Sequence, residues 1–503
     1  MDQELALAIL MSGRSALLTG AAGTGKTHLL NTFIAQARDQ GKKVSVTATT
    51  GLAATHLGGN TIHSWSGIGV SDHLANNFFD RLSKTRREVI TKTDVLVIDE
   101  ISMLHDFRLD MVDQVLRAVR ENDQPFGGVQ LVMSGDFFQL PPINRPGERG
   151  GGFVVYSEAW QELQPAVLYL ERQYRQNDEQ LLEVLTALRN DDIRRHHAEM
   201  LLARTEIEPP DGNITELHTV NVDVDAINGQ KLAELAGEER TYQQTTTGSK
   251  VYVENLQRSV LAPSELVLKP GALVMAVKNS PQKLYANGSI GTVVNFEPLT
   301  DYPIVEFRSG QQVTMVPDVW ELRDGERKRA SISQVPLRLA WAITVHKSQG
   351  MTLDAAKIDL RKAFVEGMGY VALSRVRDLD NLYLYGINRK ALAVSSDALA
   401  IDEVLQRASS EVTKHYRPML EEMKLKQPAP KKSGKSASWQ QKIAKMRETH
   451  PKAYMPWEKA DDDTLKQEFL QGATIQQLSQ KLGRHEGSIR MRLQKHFGED
   501  VLG

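Results

Sequence analysis

The 503-residue chain contains no cysteine. That excludes a disulfide framework and any thiolate metal site, and it suits a reducing cytosol. No segment approaches the ~18 apolar residues that a membrane-spanning helix needs. The first motif starts at Gly20, too near Met1 to leave room for a signal or transit peptide. The expectation is therefore a cytoplasmic protein with no membrane partner. An excess of charge of one sign is also lacking: Lys and Arg number 61 against 63 Asp and Glu, a formal net charge of −2. The total charge thus does not mark a nucleic-acid binder. The distribution is less even, because ten Lys or Arg stand against only Glu448 and Glu458 between Lys424 and Lys459. Apolar and charged fractions of 41% and 25% are those of a globular protein with room for a large core, in about three domains by length.

What is present is organised around GAAGTGKT, Gly20 to Thr27, which follows the apolar run Ala16 to Leu18 and opens a helical pattern at Leu29, Leu30, Phe33, Ile34 and Ala37. Strand, Gly-rich loop and helix in this order form a phosphate cradle: backbone N–H groups converge on phosphate oxygens at a helix N-terminus. Gly20, Gly23 and Gly25 give the loop its turns, Lys26 reaches the β and γ phosphates of ATP, and Thr27 can hold Mg²⁺. From Asp2 to about Pro165, short apolar runs (Val44 to Ala48, Val95 to Ile98, Val129 to Met133) alternate with helical patterns. Such alternation predicts an α/β fold with a parallel sheet covered on both faces and ligands at the carboxyl ends of its strands.

At one such end lies VLVIDEIS, Val95 to Ser102. Asp99 is placed to share Mg²⁺ with Thr27, and Glu100 to orient the attacking water. In the Gly-, Thr- and His-rich stretch Val46 to Gly69, Thr50 and His63 are candidate DNA contacts, and Trp65 reads equally as a base platform or a core aromatic. After Val129 to Met133, Gly135-Asp136 puts Gln139 where it can sense the γ phosphate.

These motifs, with LRAVRENDQPFGGVQLVMSGDFFQLPP, YLERQYRQND (Tyr169 to Asp178), LRLAWAITVHKSQGMTL (Leu337 to Leu353) and GYVALSRVRDLDNL (Gly369 to Leu382), resemble the PIF (petite integration frequency) family of DNA helicases, superfamily-one class B enzymes related to RecD. The resemblance runs from Gln3 to about Tyr385. It implies two RecA-like lobes with ATP between them, single-stranded DNA across both, and movement 5′ to 3′ in genome maintenance. It further implies that Gln3 reads adenine, that Gly350 lies in the nucleotide site, that Arg175 and Arg375 reach the γ phosphate, and that His346, Lys347 and Ser348 contact DNA. The expected layout is lobe 1 over 1–165, lobe 2 over 166–270 and 335–408, and an SH3-like β insertion over 271–334. A duplex-splitting wedge is expected near Gly67 to Asp80, where Phe78 and Phe79 stand out.

Residues 409–456 read as a helix followed by a basic Pro/Ser-rich linker, KQPAPKKSGKSAS. Over 457–503, apolar residues at helical spacing (Leu465 and Phe469; Ile475, Leu478 and Leu482; Ile489 and Leu493) predict three short helices, with Asp461 to Asp463 capping the first and Thr474 the second. They resemble a Myb-like helix-turn-helix, whose last helix presents Arg490, Arg492 and Lys495 to duplex DNA. A helical bundle that binds another protein is the alternative. Two other functions remain compatible with the motifs: a nucleotide switch indifferent to DNA, and a DNA-bound regulator that reads sequence through the C-terminal module. Forked or structured DNA joins single strands among the expected partners.

Overall fold

In a computed structural model the chain is described over residues 1–497, apart from 70, 145–146, 148, 177, 210–213, 220–223, 281, 283, 325–326, 427–445, 448, 454 and 456. It forms two compact units, Met1–Leu420 and Glu421–Gly503. The first contains a six-stranded sheet built from β1 (Ala16–Gly20), β2 (Val44–Ala48), β3 (Asn60–Thr61), β4 (Val95–Asp99), β5 (Gln130–Ser134) and β6 (Ala166–Leu170). Its order is β3-β2-β4-β5-β1-β6, and every pairing is parallel.

The five-residue strands β1 and β4 are buried throughout. Their side chains alternate between two cores, as a pleated strand with both faces covered requires. Ala16, Leu18, Val95 and Val97 meet Leu5, Ile9, Leu30 and Phe33 of the helices Gln3–Met11 and Lys26–Asp39. Leu17, Leu96 and Ile98 face a core that includes Leu109, Val112 and Leu116 of the helix Asp106–Arg120. Each fully buried Leu, Ile or Phe contributes about 1.5–3 kcal/mol, so this double layer holds the strand ends rigidly in place.

A second sheet has the spatial order Ala342–Thr344, Thr215–His218, Ala356–Leu360, Leu382–Ile387, again all parallel. Between these strands in sequence lies antiparallel structure. One five-stranded sheet runs Gln312–Thr314, Pro303–Phe307, Ile290–Phe296, Leu273–Ala276, Leu337–Leu339. A three-stranded sheet joins Asp318–Asp324, Arg327–Gln334 and Thr245–Gly248, and a pair joins Glu265–Leu268 to Arg240–Gln243.

Several expectations shift. The β6 strand, placed in the second lobe from residue 166, pairs with β1 along five residues and completes the first sheet. The strands at 240–243, 245–248 and 265–268 pair with one another or with the antiparallel region, and Leu337–Leu339 forms that region's edge. A half-buried strand pattern does not name its partner, which here lies up to about 90 residues away in sequence. Among the described residues the antiparallel strands form separate sheets rather than one closed hydrogen-bonded barrel. In the expected wedge, Phe78 and Phe79 pack edge to face, with ring centroids 5.3 Å apart, and lean on the main core. Trp65 is also core, 7% exposed, so it is no base platform in this arrangement.

The helix Ser396–Lys426 ends on the first residue of the expected basic linker, and the rest of the linker stretch, from residue 427, lies outside the described residues. The second unit packs Lys459–Leu470, Ile475–Leu482 and Glu486–Phe497 around Leu465, Leu478, Leu482, Ile489 and Leu493. Thr474 caps the middle helix in a reciprocal box with Gln477, and Gly483 ends it in the left-handed conformation. The aspartates do not cap the first helix, whose N-cap is Glu458. Asp461 instead accepts from buried Arg484 at 2.8 Å, and Asp462 accepts from Arg492 and lies 3.1 Å from His496. Arg492, expected on the DNA face, is therefore spent inside the module, whereas Arg490 is exposed. The Lys495 side chain lies outside the described residues.

Candidate functional site

The strand β1 ends at Gly20, whose φ of +138° and whose closeness to Leu170 (an added Cβ would lie 2.4 Å from its carbonyl oxygen) leave room only for glycine. The loop then turns through Gly23 and Gly25, and Gly25 is the N-cap of Lys26–Asp39 with no side chain across it. The first amides of that helix are thus open toward an anion. Gln3 lies against this turn and donates from Nε2 to Thr24 O at 3.2 Å. The Lys26 ammonium donates to Gly20 O at 2.8 Å and Ala21 O at 3.0 Å, and Thr27 is exposed beside it.

A cleft of about 580 Å³ gathers Gly23, Gly25, Lys26, Thr27, Glu100, Gln139, Arg175, Gly350 and Arg375. The first sheet supplies the loop after β1, the acid after β4 and the glutamine after β5, and the second sheet supplies Gly350 and Arg375. Asp99 is the last residue of β4 and is buried, as an apolar strand ending in an acid requires. Burial pushes its carboxyl up, and it pushes Glu100 up to about 7, with the Asp99 charge adding to the effect. Burial lowers Lys26, against the pull of Asp136 and Glu100. Arg375 is lowered to about 9 by burial and by the neighbouring Arg175, itself lowered by burial. Acids that resist ionisation beside cations that resist charging describe a site short of solvent and short of counter-charge. The site is suited to a polyanion arriving with a divalent cation.

Thr27 lies in the cleft and Asp99 ends the strand that delivers Glu100 to it; both offer oxygen, the donor that a hard cation such as Mg²⁺ takes. When bound, such an ion supplies charge neutralisation at the phosphates.

Several residues at or just behind the cleft carry no mark in the sequence. Gln349 donates from Nε2 to Glu100 Oε2 and to Gln139 Oε1, both at 3.0 Å, and so ties the second sheet to the acid and to the glutamine after β5. Only its place in HKSQG, next to the segment given to DNA, hinted at it. Tyr174, half exposed beside Gly25, and Arg377 line the cleft itself. Arg175 donates to Ser374 O at 3.3 Å. Arg375, 1% exposed, donates to the carbonyls of Val371, Ser348 and Met351 and to Ser374 Oγ.

The expected DNA residues sit at the carboxyl ends of strands in both sheets: Thr50 after β2, His63 after β3, and His346 to Ser348 after Ala342–Thr344. Ser348, expected to contact DNA, does not offer its side chain to it. It is 0% exposed and its hydroxyl donates to Val345 O at 2.8 Å, so it serves as an acceptor platform for Arg375 rather than as a DNA contact. Thr50 accepts from Ala53 N at 3.2 Å and starts the helix Gly51–His56. Burial first, then Arg108 and His105, lower His63 to about 4, and burial lowers His346, so both are neutral near pH 7. Lys347 is exposed and is the cation of this set.

A family model described as PIF1-like helicase matches residues 2–202. The ATP-dependent DNA helicase Pif1 of Psychrobacter sp. is 40% identical over 476 residues, covering 83% of this chain and 72% of that protein. Among solved structures, Bacteroides sp. Pif1 in complex with ADP-AlF4 is 30% identical with a TM-score of 0.70, over 80% of this chain and 96% of that one. Bacteroides Pif1 in complex with ADP-AlF3 and single-stranded DNA is 31% identical with a TM-score of 0.58, over 81% and 96%. Identity at this level across most of both chains, together with the cleft just described, means that the chain belongs to the PIF1-like helicase family.

Proposed function

We propose that this protein is an ATP-dependent DNA helicase that moves 5′ to 3′ along single strands and unwinds duplex or structured DNA. Lys26 and the loop amides bind phosphates, Thr27 and Asp99 hold Mg²⁺, Glu100 positions water, and Arg175 and Arg375 meet the charge that develops on the transferred phosphoryl group. Gln3 and Tyr174 flank the place for the base. The observation that carries this reading is the Gln349 amide, which bonds to Glu100 while His346 and Lys347, three and two residues earlier, are half-buried and exposed respectively. A shift of the DNA-facing turn therefore moves a hydrogen bond on the hydrolytic acid. The relatives' DNA and nucleotide complexes support the same assignment, and location at the nucleoid follows from it.

The test is ATP hydrolysis with and without single-stranded DNA, alongside duplexes tailed at either end. DNA is expected to raise turnover, with binding that weakens as salt rises because phosphate contacts release counterions. Turnover that stays flat across a DNA titration points instead to a nucleotide switch. Unwinding only from a 3′ tail contradicts the polarity.

The C-terminal module enters this proposal as an auxiliary DNA contact whose phosphate-binding charge comes mainly from the basic stretch before it, since Arg484 and Arg492 are held by Asp461 and Asp462. Truncation after Lys426 keeps Val412, Tyr416 and Leu420 packed on the first core. It is expected to leave DNA-stimulated hydrolysis largely intact while weakening duplex binding across a salt titration. Equal duplex affinity in the truncated protein reassigns the module to a protein partner.

A further inference from the structure

Behind the P-loop, a buried polar cluster joins the two sheets. Asp136, in the turn after β5, accepts Arg189 Nη1 on both oxygens at 2.7 and 2.9 Å. Arg189 ends the helix Glu179–Arg189, which packs on the helix Met368–Leu373 that carries Tyr370. The Tyr370 hydroxyl, on a side chain 1% exposed, has one proton and two lone pairs, and all three are used. It donates to Asp136 Oδ2 at 3.2 Å and accepts from Arg189 Nη1 at 3.1 Å and from Ala22 N at 2.9 Å. Ala22 belongs to the P-loop. The Asp136 carboxylate also accepts from Phe138 N at 3.2 Å, inside the turn that delivers Gln139 to the cleft. A buried ion pair is seldom retained for stability alone, because desolvation offsets most of its attraction. This one touches both loops that line the phosphate site, and it does so from the far side of the lobe boundary.

We propose that Tyr370 and Arg189 are positioning residues for ATP hydrolysis: they clasp the second sheet to the first and fix the P-loop through Ala22 and the Gln139 turn through Asp136. The proposal rests on the helicase reading. Neither side chain is among those lining the cleft, so the effect is transmitted through the loops they hold. When the clasp is made, the phosphate cradle and Gln139 are aligned with Arg175, which follows β6, and with Arg375, which arrives from the second sheet. When it is broken, ATP still finds the loop amides, but the constellation required in the transition state forms less often. The expected signature is therefore a loss in kcat with little change in KM.

The experiment uses the full chain with saturating single-stranded DNA. Tyr370→Phe removes the hydroxyl and keeps the ring, and is expected to lower kcat for ATP about five- to tenfold, the size of one or two buried hydrogen bonds, with KM within about threefold and the folded fraction by circular dichroism unchanged. Arg189→Lys keeps a positive charge opposite Asp136 but loses the planar fork, and is expected to show the same split. The double variant is expected to lose no more than the worse single one, because both act through one cluster. The proposal is overturned if Tyr370→Phe turns over within about twofold of the parent, if its loss matches a fall in folded fraction, or if the two losses multiply. If Arg189→Lys does not fold, the kcat and KM of Tyr370→Phe decide alone. A parent enzyme whose ATPase ignores DNA overturns the helicase reading instead, and that result is read before any variant is compared.

Discussion

Glu100→Gln is expected to abolish unwinding and to cut DNA-stimulated ATP turnover by about 10²-fold or more, the usual worth of a positioned general base, while ATP still binds. The amide keeps the shape and a hydrogen bond to Gln349 but cannot accept the water's proton. Lys26→Ala is expected to fail differently, by losing the phosphate contact itself, so ATP affinity falls with turnover. Nucleotide binding measured beside single-turnover hydrolysis separates the two routes. Near-parental turnover in Glu100→Gln removes Glu100 from the water-positioning role. The same acid predicts a pH dependence. Its folded-state value, raised to about 7 from 4.5, means that the carboxylate needed as acceptor accumulates only as pH rises through about 7. The kcat/KM for ATP, which reports the free enzyme, is expected to climb across that range and the climb to vanish in Glu100→Gln. The sign for stability is opposite: the folded state holds its proton more tightly than the unfolded chain does, so this group's contribution to stability is lost as pH rises from about 4.5 to about 7.

Arg175→Ala and Arg375→Ala are each expected to cost about 10³-fold or more in turnover, the scale of an arginine that meets phosphoryl charge, with ATP affinity falling modestly. The structure separates the two variants in a second measurement. Arg175 is less enclosed by surface exposure than Arg375 and, among the described residues, gives one hydrogen bond, to Ser374 O, so its removal disturbs the fold less. Arg375 is fully buried and satisfies three carbonyls and a hydroxyl. Removing it leaves buried acceptors unpaired at about 1–3 kcal/mol for each that finds no water, so a lower melting temperature is expected in Arg375→Ala alone. Loss of ATP affinity with unchanged turnover at saturation places either arginine outside the reaction.

The nucleotide half of the site was legible because phosphate binding is a local property. The loop amides, Lys26 and Thr27 all come from one strand–loop–helix unit, and Asp99 and Glu100 follow directly from the apolar strand that delivers them. The second half was less legible. Gln349 has no local mark, since an amide becomes important only when a partner carboxylate from 249 residues away comes within 3.0 Å. Ser348 and Arg492 have the residue types of nucleic-acid contacts, and only packing showed that one is sealed in the core and the other spent on Asp462.

By itself the sequence determined the strands that carry the P-loop, the acid pair and the Gln139 turn, the parallel α/β class, and the three-helix character of the C-terminal end. Each depends on hydrophobic period, turn chemistry or contiguous backbone, all of which act within a few residues. The tertiary structure alone decided that β6 closes the first sheet, that 240–243 pairs with 265–268 while 245–248 joins Arg327–Gln334, that Trp65 is core, and that Tyr370 reaches Ala22 across 348 residues. Strand partners and buried polar pairs are chosen by which surfaces the whole fold brings within hydrogen-bond reach. A one-dimensional pattern carries burial and period but not that choice.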